Sequence, residues 1–228
     1  MITGYFGVPG CGKTTLAAKK ARQINKLIKR DNFREKLHLK RKCRYDRVLT
    51  NFACKDCYKI DFRDIGTYDI QNACIILDEI TVDADNRDFK NFSRHSVEGF
   101  IYHRHYFNDI YYYTQNHNAV DKKIRDLTQE LYFVRKSYFP FFSRFTRAKR
   151  IFRTIDINEY TKEIVNGYRF PNFFERIIDF IGLFSFGLIN FQLGEICFRP
   201  RYYKDFDSFC QPLNLRPFNY EKWEGEGE

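Results

Sequence analysis

The sequence lacks most of the features that mark secreted or disulfide-rich proteins. Its seven cysteines are an odd number, which argues against a disulfide framework and for reduced thiols in an intracellular chain. Cys54 and Cys57 form a C-x-x-C pair, but no second pair completes a standard zinc site. The amino terminus does not read as a signal peptide, because it leads directly into a glycine-rich motif.

Acidic residues are also scarce, with 29 Asp and Glu against 39 Lys and Arg. The resulting net charge of +10 predicts an anionic partner, either nucleic acid or the cytoplasmic face of a membrane. Charge alone does not choose between these two partners.

A long uninterrupted apolar run is missing as well. The best candidate, residues 177–193, has 17 residues with one acid and no base, whereas a spanning helix needs about 20 apolar residues. Asp179, Asn190 and Gln192 all oppose insertion into a bilayer. A spanning helix, a helix lying at the membrane surface and a helix in a small soluble core are all compatible with this segment.

The strongest signal that is present is a phosphate-binding loop near the start. The stretch GVPGCGKT at 7–14 fits the P-loop pattern G-x-x-x-x-G-K-[ST], in which glycines let backbone N–H groups converge on phosphates. A short apolar strand precedes the loop and a helical pattern at 16–28 follows it, as the motif requires. The predicted nucleotide-binding residues are Gly7, Pro9, Gly10, Cys11, Gly12, Lys13, Thr14 and Thr15.

Two side chains of this loop have specific predicted tasks. Lys13 is expected to reach the β- and γ-phosphates of ATP, and the hydroxyl of Thr14 is expected to bind Mg²⁺. The positive end of the following helix adds to the anion site. ATP and Mg²⁺ are therefore the predicted cofactors.

A second motif supplies the acids that such a site needs. The run ACIILDE at 73–79 is typical of a buried parallel strand that ends in two carboxylates, which is a Walker B pattern. Asp78 is expected to hold Mg²⁺ through water, and Glu79 to orient and deprotonate the water that attacks the γ-phosphate.

A further strand, at 109–115, ends in the amide of Gln115. In P-loop ATPases with an additional strand, such a strand lies between the two motif strands, so Gln115 is predicted to sense the γ-phosphate. The alternative is an amide that only caps the following turn at 116–119. With strands at 47–52 and 130–135, the pattern predicts an α/β, RecA-like P-loop NTPase with a doubly wound, mainly parallel sheet.

The carboxyl-terminal part has a different pattern, and we place a domain boundary between 1–137 and 138–228. Two strands around a polar turn predict a β-hairpin at 150–169, followed by an apolar helical segment at 173–198 and a tail. The stretch 137–150 is rich in aromatic and basic residues, which suits single-stranded nucleic acid, a membrane surface or ordinary core packing.

The run RHYFNDIYYYTQ at 104–115, with Asp121, Ile124, Arg125 and the strand at 132–136, resembles the zonular occludens toxin (Zot) domain family. That family includes the assembly and DNA-export ATPases of filamentous phages and belongs with the FtsK/HerA-type motors. The resemblance covers about residues 1–136.

The resemblance implies an ATPase that helps extrude phage single-stranded DNA through the host inner membrane. It implies a homo-oligomer, expected to be a hexamer, at the cytoplasmic face of that membrane. The implied partners are single-stranded DNA or a phage DNA–protein complex, and other phage assembly proteins. A soluble cytoplasmic DNA-transfer ATPase and a nucleotide-dependent scaffold without motor activity are the alternatives.

Motors of this class complete each site with an arginine from the neighbouring subunit. Arg104 and Arg125 are the two candidates, and the sequence does not choose between them. The alternative for Arg125 is a surface ion pair with Asp121, one helical turn away.

Overall fold

The computed structural model describes residues 1–82, 94–136, 144–157, 164–172 and 194–206. In these ranges one sheet of nine strands is flanked by three α-helices. The strands are β1 Ile2–Phe6, β2 Arg47–Thr50, β3 Tyr58–Lys59, β4 Ala73–Leu77, β5 Asp109–Thr114, β6 Glu130–Lys136, β7 Phe145–Ile157, β8 Ile164–Arg169 and β9 Gly194–Phe198. The helices are α1 Lys13–Lys36, α2 Arg94–Tyr102 and α3 Lys122–Leu127.

The strand order is β3-β2-β4-β5-β1-β6-β7-β8, and β9 also pairs with β7. All pairs from β3 to β6 are parallel, whereas β7 runs antiparallel to β6. The strand β5 thus lies between β1 and β4, as the sequence predicts for the additional strand. Because parallel strands end at the same edge of a sheet, the loops after β1, β4 and β5 meet there.

The central strands are buried on both faces, which explains their continuous apolar runs. One face packs against α1 through Leu16, Ala17 and Ala21, whose small or slender side chains let the helix approach the sheet. The other face packs against α2 and α3 through Phe100 and Ile124. This arrangement, with helices on both faces of a mainly parallel sheet, confirms the predicted RecA-like fold class.

The helix α1 is longer than the predicted 16–28. It begins at Lys13, inside the P-loop motif, and ends at Lys36. Ile24 and Ile28 extend its apolar stripe by further turns, and Arg34 and Lys36 in the last turn complement the negative end of the helix.

The predicted hairpin is present as β7 and β8, with Phe152 paired to Arg169 and Ile157 to Ile164. The strand β7 begins at Phe145, five residues earlier than predicted, and pairs with β6 along residues 146–151. The sheet therefore continues across the boundary that the sequence suggests at residue 137.

The strand β9 replaces the end of the predicted helical segment at 173–198 and pairs with the first half of β7. The rest of that segment, 173–193, lies outside the described residues, as do 137–143 and the tail from 207 onward. None of the helices in the described part of the chain is long and apolar enough to cross a membrane.

Candidate nucleotide-binding and hydrolysis site

The P-loop connects β1 to α1 at the carboxyl edge of the sheet. Gly10 has φ = 69° and Gly12 has φ = 99°, a left-handed backbone that glycine adopts without steric cost. A β-carbon on Gly7 would lie 2.3 Å from the carbonyl oxygen of Val134 in β6, so only glycine fits there. Of the other predicted loop residues, Pro9 is exposed, whereas Cys11 and Thr15 are buried and anchor the loop.

Lys13 is only 4 % exposed, which is unusual for a lysine. Its Nζ donates to the carbonyl oxygens of Gly7, at 3.0 Å, and Val8, at 3.4 Å. The side chain therefore folds back over the loop, with the ammonium group held beside the backbone that cradles the phosphates. The same Nζ lies 3.9 Å from Oε1 of Glu79.

Thr14 and Asp78, the two residues expected to hold Mg²⁺, are in direct contact. The hydroxyl of Thr14 donates to Oδ2 of Asp78 at 2.5 Å. Hard oxygen donors of this kind suit Mg²⁺, which binds proteins through one or two carboxylates and keeps several waters. These two residues fit the ion, and the ion would supply positive charge that neutralises the phosphate oxygens.

The environment of Asp78 also affects its protonation. The pKa of Asp78 is raised to about 6, mainly because the carboxyl group is buried and also because the Glu79 carboxylate is adjacent, whereas the Thr14 hydrogen bond and the Lys13 charge act in the opposite direction. With a pKa near 6 the carboxylate is still mainly ionised at pH 7 and can act as a ligand.

Asn51 fixes the position of Asp78, and sequence reasoning gave it no role. Asn51 lies directly after β2. Its Nδ2 donates to the carbonyl oxygen of Asp78 at 2.8 Å, and its Oδ1 accepts from the Asp78 N–H at 2.7 Å. This two-point amide contact links the ends of the adjacent strands β2 and β4. The only signal in the sequence is one polar residue near the end of the strand predicted at 47–52.

Glu79 occupies the centre of the site. Its φ of 49° is left-handed, a conformation that costs a non-glycine residue on the order of 1 kcal/mol and that is frequent at functional sites. Its Oε1 accepts a hydrogen bond from Nε2 of Gln115 at 3.2 Å. The side chain is 41 % exposed, so water can reach the carboxylate.

Gln115 therefore contacts the acid of the neighbouring strand. The capping role that formed the alternative is taken by Asn116, whose side chain accepts from the N–H of Asn118. Lys13, Glu79 and Gln115 form a chain of contacts across the ends of β1, β4 and β5. This arrangement can hold a phosphate chain, a metal ion and an attacking water side by side.

The two candidate arginines lie away from this cluster within the chain. Arg104 is exposed in the turn between α2 and β5, at the opposite edge of the sheet from the P-loop. That edge is roughly 20 Å away, the length of a six-residue strand. Arg125 is half-buried on the face of the sheet that carries α3, where it lines a small cavity with His117, Thr128 and Tyr168.

Asp121, the proposed ion-pair partner of Arg125, caps the amino end of α3 and accepts from the N–H of Lys123 at 2.7 Å. Its carboxylate is thus engaged in holding the first turn of the helix.

Thr146 in β7 is a second residue that the sequence did not reveal. It is fully buried, and its hydroxyl donates to the carbonyl oxygen of Cys11 at 2.8 Å. The carboxyl-terminal strands thus support the P-loop from the side of β6 and β7. The contact spans 135 residues of sequence, so no local pattern points to it.

Comparison with known proteins gives one family and several solved structures. The family described as zonular occludens toxin (Zot) matches residues 1–169. The fold is similar to the N-terminal domain of zonular occludens toxin from Neisseria meningitidis, with 16 % identity, a TM-score of 0.43, and coverage of 75 % of this chain and 94 % of that one.

Two other solved structures are similar at a comparable level. The genome packaging NTPase B204 from Sulfolobus turreted icosahedral virus 2, in complex with ATP-gammaS, has 12 % identity, a TM-score of 0.40, and coverage of 75 % and 98 % of the two chains. The flagellar accessory protein FlaH from Methanocaldococcus jannaschii has 12 % identity, a TM-score of 0.40, and coverage of 73 % and 88 %. No curated protein matches the sequence.

Proposed function

The chain belongs to the zonular occludens toxin (Zot) family, and we propose that it is a P-loop motor ATPase of filamentous phage assembly. In this proposal it couples hydrolysis of ATP, with Mg²⁺, to the export of phage single-stranded DNA at the host inner membrane. The family match and the site geometry support an ATPase. The roles of DNA and of the membrane in this proposal are supported by the family resemblance and by the net charge of +10.

The observation that carries the proposal is the position of Glu79. Its carboxylate lies between the ammonium of Lys13, 3.9 Å away, and the amide of Gln115, 3.2 Å away. A carboxylate that faces the phosphate cradle and remains open to water is placed to orient and deprotonate a nucleophile. A protein that only binds nucleotide needs the cradle but not this acid.

Each residue of the cluster then has one task in hydrolysis. The loop N–H groups and Lys13 hold the phosphates and balance the charge that develops on the transferred group. Glu79 accepts the proton of the attacking water, and Gln115 fixes the orientation of Glu79. Asn51 keeps Asp78, the Mg²⁺ ligand, in register with Thr14.

We further propose that the active form is a ring in which a neighbour completes each site with Arg104. A trans-acting arginine has to be accessible at the surface, and Arg104 is exposed whereas Arg125 is half-buried against its own subunit. Arg104 also lies at the edge opposite the P-loop. A head-to-tail ring, in which different surfaces of adjacent subunits meet, brings such an edge towards the neighbour's site.

The ATPase itself is tested by Glu79→Gln, which keeps the shape of the side chain but cannot accept the proton. We expect this variant to bind ATP normally and to lose turnover. Unchanged turnover would remove Glu79 from the role of base.

The DNA and membrane parts need separate tests. We expect single-stranded DNA to stimulate ATP hydrolysis more than duplex DNA of equal length, with a steep dependence on salt. We also expect the protein to float with liposomes containing anionic lipids, and a variant lacking residues 174–192 to lose this association. Equal stimulation by both DNAs, or flotation that does not depend on 174–192, would contradict the respective part.

A further inference from the structure

The site described so far is asymmetric about the P-loop. Asp78, Glu79 and Gln115 all lie on the side of β4 and β5, and their chemistry marks the place of the terminal phosphate and the attacking water. A nucleotide is a linear molecule, so its α-phosphate and nucleoside must extend away from these acids. The strand order puts β6 and β7 on that other side.

Two cations flank the loop on this second side. A β-carbon built on Gly10 would lie 3.9 Å from Nζ of Lys136, the last residue of β6. A β-carbon built on Gly12 would lie 2.9 Å from Cδ of Arg199, which follows β9. The aliphatic part of the Arg199 side chain thus lies next to the glycine directly before Lys13.

The backbone fixes Arg199 in this place. In the antiparallel pair of β7 and β9, Cys197 stands opposite Thr146 and Phe198 opposite Phe145. The N–H of Arg199 then donates to the carbonyl oxygen of Arg144 at 3.0 Å. Thr146, in the same register, holds the carbonyl oxygen of Cys11 in the loop. One pair of strands therefore positions both the loop and the arginine.

A guanidinium has a fixed planar set of donors that matches phosphate oxygens, and it stays charged at all physiological pH values. A guanidinium beside a loop whose N–H groups also bind phosphate can add to the affinity of the protein for that phosphate.

We propose that Arg199 is a nucleotide-binding residue, supplied in cis by the turn that follows the carboxyl-terminal strand β9, that contacts the α-phosphate end of a bound nucleoside di- or triphosphate. This inference rests on the proposed ATPase function and adds a second half to its site. It makes the turn after β9 part of the nucleotide site, although this turn lies beyond the P-loop and Walker B motifs and beyond residue 169.

The test is the affinity of the full-length protein for ADP and ATP, measured by calorimetry, with ATP titrated in the Glu79→Gln background to prevent turnover. Arg199→Met keeps the stem and removes the charge, so we expect about tenfold weaker binding of both nucleotides, since a charged contact with phosphate is lost. Arg201→Met is the matched control, because Arg201 is an exposed residue of the same turn, and we expect it to bind as the wild type does.

Kinetics supply a readout that a purely structural role would not move. Because the α-phosphate is common to ATP and ADP, Arg199→Met should raise KM for ATP and leave kcat within about twofold, as expected when ground-state and transition-state binding fall equally. Arg199→Lys should recover part of the affinity.

Unchanged ADP affinity in folded Arg199→Met would overturn the proposal, and a loss for ATP alone would move the contact to the γ-phosphate and overturn the α-phosphate assignment. If Arg199→Met lowers the melting temperature of the nucleotide-free protein, Arg199→Gln replaces it and is judged by the same criterion. If wild-type protein binds no nucleotide, or Lys13→Ala binds as the wild type does, the ATPase proposal fails first.

Discussion

The two hydrogen bonds between Asn51 and the backbone of Asp78 allow the loss of stability in Asn51→Ala to be predicted. Asn51→Ala removes one hydrogen bond of 2.7 Å and one of 2.8 Å to the backbone of Asp78. A typical intramolecular hydrogen bond contributes about 1 kcal/mol net, so the variant should lose about 2 kcal/mol of unfolding free energy. That loss corresponds to a roughly 30-fold change in the folding equilibrium constant.

The same substitution should reduce catalysis. Without the amide, the end of β4 is no longer tied to the end of β2, and the turn that holds Glu79 at its left-handed φ loses support. We expect kcat to fall by about tenfold or more, since small displacements of catalytic groups are costly. Urea unfolding measures the first effect, and steady-state hydrolysis at saturating ATP measures the second.

Asn118→Ala is the control, because Asn118 is exposed and uses its backbone N–H rather than its side chain in the turn after β5. We expect a change within about 0.5 kcal/mol for this variant. The prediction is wrong if the unfolding free energy of Asn51→Ala also changes by less than about 0.5 kcal/mol and the variant hydrolyses ATP at the wild-type rate.

Two further predictions concern subunit contacts and packing. A mixture of Glu79→Gln and Arg104→Ala proteins, each inactive alone, should recover partial ATPase activity because some interfaces combine an intact site with an intact arginine. Arg125→Ala should hydrolyse ATP without mixing, and a loss of activity in Arg125→Ala that mixing with Glu79→Gln restores would exchange the two roles. Gly4→Ala should lower stability by about 1–3 kcal/mol in thermal unfolding, because the new methyl group would lie 2.5 Å from the ring of Tyr112, and an unchanged melting temperature would contradict this close contact.

The positions of Asp78, Glu79 and Gln115 were predictable because each of them follows a strand with a strong apolar pattern. The run at 73–77 is buried throughout, so its two terminal acids had to emerge at the edge of the sheet. The position of Gln115 followed from the additional strand β5, and the structure places that strand between β1 and β4.

The supporting residues were not predictable, because their contacts are long-range. Thr146 and Arg199 reach the P-loop only through the pairing of β7 with β6 and β9. The strand β9 directly follows an apolar run, so the spacing of apolar residues did not show where the predicted helical segment at 173–198 ends and the strand begins. Asn51 is one amide after a four-residue strand, and nothing near it in the sequence indicates that its partner is the backbone of Asp78.

The most direct test of the central claim is Mg²⁺-dependent ATP hydrolysis by the wild type, Lys13→Ala and Glu79→Gln, measured together with ATP binding. The wild type should hydrolyse ATP, and Lys13→Ala should lose binding. Glu79→Gln should keep its affinity while kcat falls by about 100-fold or more, the contribution typical of a general base. Hydrolysis by Glu79→Gln at the wild-type rate, or no binding of ATP by the wild type, would contradict the account.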